Sequence, residues 1–108
     1  MLVLHTRGRR TGRRRDTPLA VHEAADGTLW LVGGAGGQTA IPDWVANLRA
    51  EPAAEVTLDR RRLPVLATEV TGPDRDGAWR TLREVWPRID VYERRAGRPV
   101  PVFRLDRR

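Results

Sequence analysis

The chain has 108 residues, 40% of them hydrophobic and 31% charged, which predicts one globular domain spanning residues 1–108. Its 20 basic residues are all arginines and outnumber the 14 acidic residues, so the net charge is +6. The chain has no cysteine, which excludes disulfides and thiolate chemistry, and its two histidines are too few to indicate a metal site.

The first part of the chain reads as short strands joined by tight turns. We predict strands at residues 1–5, 17–23 and 28–32, because these runs are short, apolar and rich in β-formers. Asp26-Gly27 is the usual signal for a two-residue hairpin turn between the second and third strands. The glycine run Gly33–Gly37 cannot comfortably continue a strand, so it predicts a loop.

The second part adds helices between further strands. Pro42 opens a short helix, and Thr71 with Asp74 has the spacing of a capping box that starts a second helix. Residues 88–97 read as irregular or briefly helical. We predict the remaining strands at residues 55–58, 63–70 and 100–105. The fold class is therefore mainly β (α+β), with about six antiparallel strands in a small barrel and two or three short helices outside it.

The segment 6–15 is the most informative part of the sequence, because it holds six arginines and two glycines. A tight turn between strands favours Gly8 and Gly12 for positive φ, and it presents backbone N–H groups on one side. Arg9, Arg10 and Thr11 would add guanidinium groups and a hydroxyl, which together favour a phosphate. The alternative is a solvated basic loop, which is what most charge runs are.

Other residues are weaker candidates. The glycine run would let a ring or a phosphate approach the backbone, although a plain connector also fits. Trp44 and Asn47 lie one helical turn apart and could contact an aromatic cofactor, or be a core residue and a surface or capping residue. Tyr92 is the only tyrosine, and it is either a proton donor or a packed side chain. His5 and His22 alternate with apolar neighbours and read as structural.

These segments, in this order, resemble the deazaflavin-dependent nitroreductase family. That family typically reads T-x-G-R-K-S/T-G, R-x-x-P-L, S-x-G-G, P-x-W-Y-x-N-L, Y-P-x-Y-x-x-Y and I-P-V-F. The matching segments here are Thr6–Gly12, Arg15–Leu19, Gly34–Gly37, Pro42–Leu48, Trp86–Tyr92 and Val100–Phe103. Departures from the family pattern at Ala35, Ile41, Val45 and Ile89 imply a more apolar pocket than the family usually has.

The resemblance implies a split β-barrel that binds the deazaflavin coenzyme F-420, with FMN as the second choice. It implies the cofactor-binding residues Arg9, Arg10, Thr11, Arg15, Thr17, Pro18, Gly34, Ala35, Gly36, Gly37, Trp44 and Asn47. It also implies a substrate pocket made by Trp86, Ile89 and Tyr92, with Tyr92 as the catalytic proton donor and no metal. The charge of +6 suits a coenzyme that carries a phosphate and a polyglutamate tail.

The function expected from this resemblance is that of an oxidoreductase. Reduced coenzyme F-420 would transfer a hydride to a small electron-poor substrate, such as an activated alkene, a quinone or a nitro compound. The alternatives are a non-redox binding protein or secondary-metabolism enzyme on the same barrel, and a basic nucleic-acid-binding module. Nucleic acid is disfavoured because the arginines concentrate in one loop. No apolar run approaches the roughly 20 residues of a membrane span, so a cytoplasmic enzyme is expected, and a homodimer would cover an exposed barrel face.

Overall fold

Seven antiparallel strands form one curled sheet in the computed structural model, which describes residues 1–34 and 39–108. The strands are β1 (Leu2–Arg7), β2 (Arg14–Leu19), β3 (His22–Glu23), β4 (Leu29–Val32), β5 (Ala53–Leu58), β6 (Arg61–Val70) and β7 (Val102–Arg107). Their order across the sheet is β2-β1-β5-β6-β7-β4-β3, so β2 and β3 are the edges of a half-barrel. The predicted mainly β fold is confirmed, and the second predicted strand is in fact two strands, β2 and β3.

Three helices complete the fold: α1 (Asp43–Ala50), α2 (Gly72–Val85) and α3 (Ile89–Ala96). Pro42 lies at the N-cap of α1, as the sequence predicts. The predicted capping box of α2 is wrong, because Thr71 occupies the N-cap but makes no side-chain capping hydrogen bond. No helix in the described residues is long and apolar enough to cross a membrane.

Two hydrophobic clusters lie on opposite faces of the sheet. Neighbouring side chains of a strand point to opposite faces, so Phe103 of β7 packs in the first cluster and Val102 in the second. Helix α1 covers the first cluster, where the ring centroids of Trp44 and Phe103 are 5.8 Å apart. Helices α2 and α3 cover the second cluster through Trp79, Leu82 and Ile89.

Gly33 and Gly34 lie close to helices that cover the two clusters, Gly33 to α1 and Gly34 to α3. A Cβ atom on Gly33 would lie 2.8 Å from Cγ2 of Val45 in α1. A Cβ atom on Gly34 would lie 3.1 Å from Cγ1 of Val100 and 3.8 Å from Cβ of Tyr92 in α3. Glycine is therefore needed here for close packing, and it places the start of the glycine run between α1 and α3.

Candidate functional site

The arginine-glycine loop is a compact hairpin between β1 and β2. The backbone N–H of Gly8 donates to the carbonyl of Arg13 at 2.7 Å, and that of Gly12 donates to the carbonyl of Gly8 at 2.8 Å. Gly12 has the expected positive φ of 70°. The same expectation is wrong for Gly8, which is needed because a Cβ atom there would lie 2.9 Å from Oγ1 of Thr11.

A cavity of about 540 Å³ lies between this hairpin, β2 and α1. We call it the hairpin cavity, and it is lined by Gly8, Arg9, Arg10, Thr11, Arg14, Arg15, Asp16, Thr17, Asp43, Trp44 and Asn47. Seven of the predicted cofactor-binding residues therefore meet at one place, although they come from a hairpin, a strand and a helix. Four other members were not predicted to bind the cofactor: Gly8, which was assigned only to the turn, Arg14 and Asp16, whose placement depends on where β2 begins, and Asp43, which follows Pro42 at the helix start.

Two other predicted cofactor-binding residues, Pro18 and Gly34, lie elsewhere. Pro18 follows Thr17 on edge strand β2 and is exposed, outside the lining of the cavity. Gly34 lies between Val100 and Tyr92. Ala35, Gly36 and Gly37 fall outside the described residues. The cofactor-binding roles of these residues stay predictions.

The hairpin cavity carries an excess of positive charge, since four arginines line it against two aspartates. Nε of Arg14 lies 2.7 Å from Oδ1 of Asp16, so these two side chains form an ion pair. In the described part of the chain, neither Arg10 nor Arg15 makes an ion pair. Two guanidinium groups are thus available to an anion at one cavity, as a phosphate site requires.

Trp44 and Asn47 reach the cavity from α1. Trp44 is 5% exposed and packs on Phe103, so it is a core residue whose edge also lines the cavity. Asn47 is 3% exposed, so the alternative that it is a surface residue is wrong. Its Oδ1 accepts hydrogen bonds from the backbone N–H and the guanidinium of Arg9, at 3.1 and 3.0 Å.

His5 braces the hairpin from the other face of the sheet. Its Nδ1 lies 2.7 Å from Oδ1 of Asp16 and its Nε2 lies 2.7 Å from Oγ1 of Thr57. These contacts join β2, β1 and β5, which agrees with the structural role predicted for His5. The hydrogen bond to His5, followed by that to Arg14, lowers the pKa of the Asp16 carboxyl below its usual value.

The lowered pKa of Asp16 predicts a pH-dependent contribution to stability. A depressed folded-state pKa stabilises the protein above the unfolded pKa, and that stabilisation is lost as the pH falls through the folded pKa. We expect Asp16→Asn to lower the urea midpoint of unfolding at pH 6–7. The gap between the midpoints of the variant and the wild type should close in strong acid. Asp76→Asn, on α2, is the control. A gap that stayed constant with pH would contradict a role for the Asp16 charge.

The predicted substrate residues lie at the second cluster. Ile89 is 2% exposed within it, and Trp86 and Tyr92 are partly buried against it. Helix α3 is fixed to α2 by hydrogen bonds to Asp90, whose pKa is lowered by Arg83 and then by Trp79. Tyr92 therefore lies on a helix that is hydrogen-bonded to α2, and its Cβ atom is close to Gly34. Its catalytic role stays a prediction.

No group of histidine, cysteine or acidic side chains in the part of the chain that the structure describes could hold a metal ion. The polar chemistry of the hairpin cavity comes from guanidinium, carboxylate, hydroxyl and amide groups. These groups bind anions and hydrogen-bonding ligands.

Comparisons with known proteins agree on one family. The model of the F420H(2)-dependent quinone reductase family matches residues 1–106. F420H(2)-dependent quinone reductases from two strains of Mycobacterium tuberculosis, H37Rv and CDC 1551, are each 38% identical over 111 residues, covering 99% of this chain and 73% of theirs.

Solved structures show the same fold. An F420-H2 dependent reductase superposes with a TM-score of 0.83 at 28% identity, covering 97% of this chain and 92% of that one. A second structure, described as a domain-swapped dimer, has a TM-score of 0.84 at 28% identity, covering 97% of this chain and 78% of that one.

Proposed function

The chain belongs to the F420H(2)-dependent quinone reductase family and is an oxidoreductase of that kind, and we propose that its hairpin cavity holds the phosphate end of coenzyme F-420. The observation that carries this proposal is the pair of arginines without ion-pair partners, Arg10 and Arg15, at one cavity in the described residues. Arg9, Thr11 and Thr17 add further donors at the same place.

The residues present fit such a coenzyme. A phosphodiester needs charge-assisted hydrogen bonds, and the planar guanidinium offers two parallel N–H donors to it. The excess of two positive charges at the cavity matches a phosphate and leaves attraction for further carboxylates. FMN, the second choice, carries a phosphate too, and a direct comparison of the two coenzymes is needed to rank them.

When bound, the reduced coenzyme supplies a hydride to an electron-poor acceptor. We propose that the acceptor is a quinone-like molecule, in line with the names of the relatives. The quinone, on accepting a hydride, becomes a hydroquinone anion and needs one proton. Tyr92 would donate that proton from its hydroxyl group, while Trp86 and Ile89 would line the substrate side. Trp44 packs against Phe103, so its side chain is already ordered and loses little conformational entropy when a coenzyme binds.

Equilibrium binding tests this proposal first. Oxidised coenzyme F-420 is titrated with the purified protein and followed by its own fluorescence, and FMN is titrated in parallel. We expect saturable binding of the deazaflavin and weaker binding of FMN. Oxidation of the reduced coenzyme by a water-soluble quinone then measures turnover. A folded protein that bound neither coenzyme would refute the proposal.

We also propose that residues 1–108 act as one cofactor-binding unit in a cytoplasmic homodimer. Among the described residues the sheet ends at two edge strands, β2 and β3, and strand edges favour pairing with a second chain. A structural neighbour is described as a domain-swapped dimer. Light scattering during size-exclusion chromatography would measure the mass, and a mass of 12.2 kDa would contradict the dimer.

A further inference from the structure

Arg9 is held differently from the arginines of this protein that pair closely with a carboxylate. Arg49, Arg75 and Arg83 each have a carboxylate oxygen at 2.8 Å or less. The guanidinium of Arg9 instead donates to the neutral amide oxygen of Asn47 at 3.0 Å. The hydrogen bond that positions the Arg9 guanidinium therefore comes from a neutral group and does not neutralise its charge.

Asp43 neutralises little of the positive charge of Arg9. The distance from Nη2 of Arg9 to Oδ1 of Asp43 is 3.5 Å, and the Asp43 side chain is 90% exposed. An exposed pair at this distance is weak because water screens it. The Arg9 side chain itself is only 29% exposed, so its charge is partly withdrawn from water at the wall of the hairpin cavity.

The orientation of the Asn47 amide is fixed by its neighbours. Its Oδ1 accepts two hydrogen bonds from Arg9, one from the backbone and one from the side chain. Its Nδ2 donates to Oγ1 of Thr6, which is itself buried. If the amide were flipped, its N–H groups would face the N–H donors of Arg9. Only the observed orientation gives the Asn47 amide hydrogen bonds to both Arg9 and Thr6.

We propose that Asn47 is a positioning residue that aims the Arg9 guanidinium into the hairpin cavity and, being neutral, leaves its charge for an anionic group of the coenzyme. Asparagine and aspartate have nearly the same shape, and a carboxylate could accept the same two hydrogen bonds. An aspartate would hold Arg9 equally well but cancel its charge. The inference rests on the proposed coenzyme site, and it adds a reason for an amide at this position.

Two substitutions separate position from charge. Asn47→Asp is expected to keep Arg9 in place, weaken coenzyme F-420 binding roughly tenfold, and reduce the dependence of Kd on salt, because one positive charge is lost. Asn47→Ala is expected to weaken binding while retaining a salt dependence close to that of the wild type, because Arg9 is charged but no longer held. Asp43→Asn should strengthen binding by about twofold or less, because the exposed Asp43 interacts only weakly with Arg9.

Hydrogen exchange of the Arg9 backbone amide tests the anchor in the protein without coenzyme. Protection should persist in Asn47→Asp and fall in Asn47→Ala, with thermal melting confirming that both variants are folded. Wild-type affinity in Asn47→Asp, or equal salt dependence in the two variants, would overturn the inference. Failure of the wild type itself to bind coenzyme F-420 would instead refute the proposed function, so the two failures are distinguishable.

Discussion

Replacing Arg10 and Arg15 together by alanine is expected to weaken coenzyme F-420 binding by roughly a hundredfold or more. A hydrogen bond to a charged group contributes about 1.5–3 kcal/mol, and each arginine would make one such contact to the phosphate end. Neither side chain makes an ion pair in residues 1–34 and 39–108, so the fold loses no salt bridge there. The urea midpoint of the unliganded protein should therefore stay close to that of the wild type.

Arg13→Ala is the matched control for this experiment. Arg13 belongs to the same hairpin and carries the same charge, but its side chain is absent from the lining of the hairpin cavity. It should weaken binding only slightly, through loss of general attraction, and that loss should vanish at high salt. If Arg13→Ala and the double variant weakened binding to the same extent, the effect would be one of net charge and the cavity would not be the phosphate site.

The sequence was sufficient for the fold because its signals are local. The turn signal Asp26-Gly27 and the helix start at Pro42 each depend on only a few neighbouring residues. One local prediction that failed is the capping box at the start of α2. Helix α2 forms without a side-chain cap at Thr71, since packing of Trp79 and Leu82 stabilises it.

Seven of the residues that line the hairpin cavity were among the predicted cofactor-binding residues, but their arrangement could not be predicted from the sequence. Arginines and glycines in a predicted turn favoured a phosphate at Arg9 and Arg10 but left a solvated basic loop as the alternative, and the family resemblance added the cofactor-binding role. The contact between Arg9 and Asn47 spans 38 positions of sequence and depends on how α1 packs on β1. The register that sets His5 opposite Asp16 is equally non-local. No spacing rule reports such contacts, which explains why the anchoring role of Asn47 needed the structure.

Tyr92→Phe is expected to lower the turnover number by roughly 10²- to 10⁴-fold, the usual range for loss of a positioned general acid. The affinity for coenzyme F-420 and the melting temperature should change little, because only the hydroxyl oxygen is removed and the ring still packs against the second cluster. The measurement is the rate at which a quinone oxidises the bound reduced coenzyme in a single turnover, taken across a range of pH.

A loss of rate with unchanged binding identifies an interaction made only in the transition state, which is what proton donation requires. Trp86→Phe is the control, since Trp86 packs at the same cluster without offering an acidic hydroxyl. It should change the Michaelis constant for the quinone more than the turnover number. Equal rates for Tyr92→Phe and wild type at every pH would mean that water or another group supplies the proton. Tyr92 would then be a packing residue of α3, in agreement with its partly buried side chain at the second cluster.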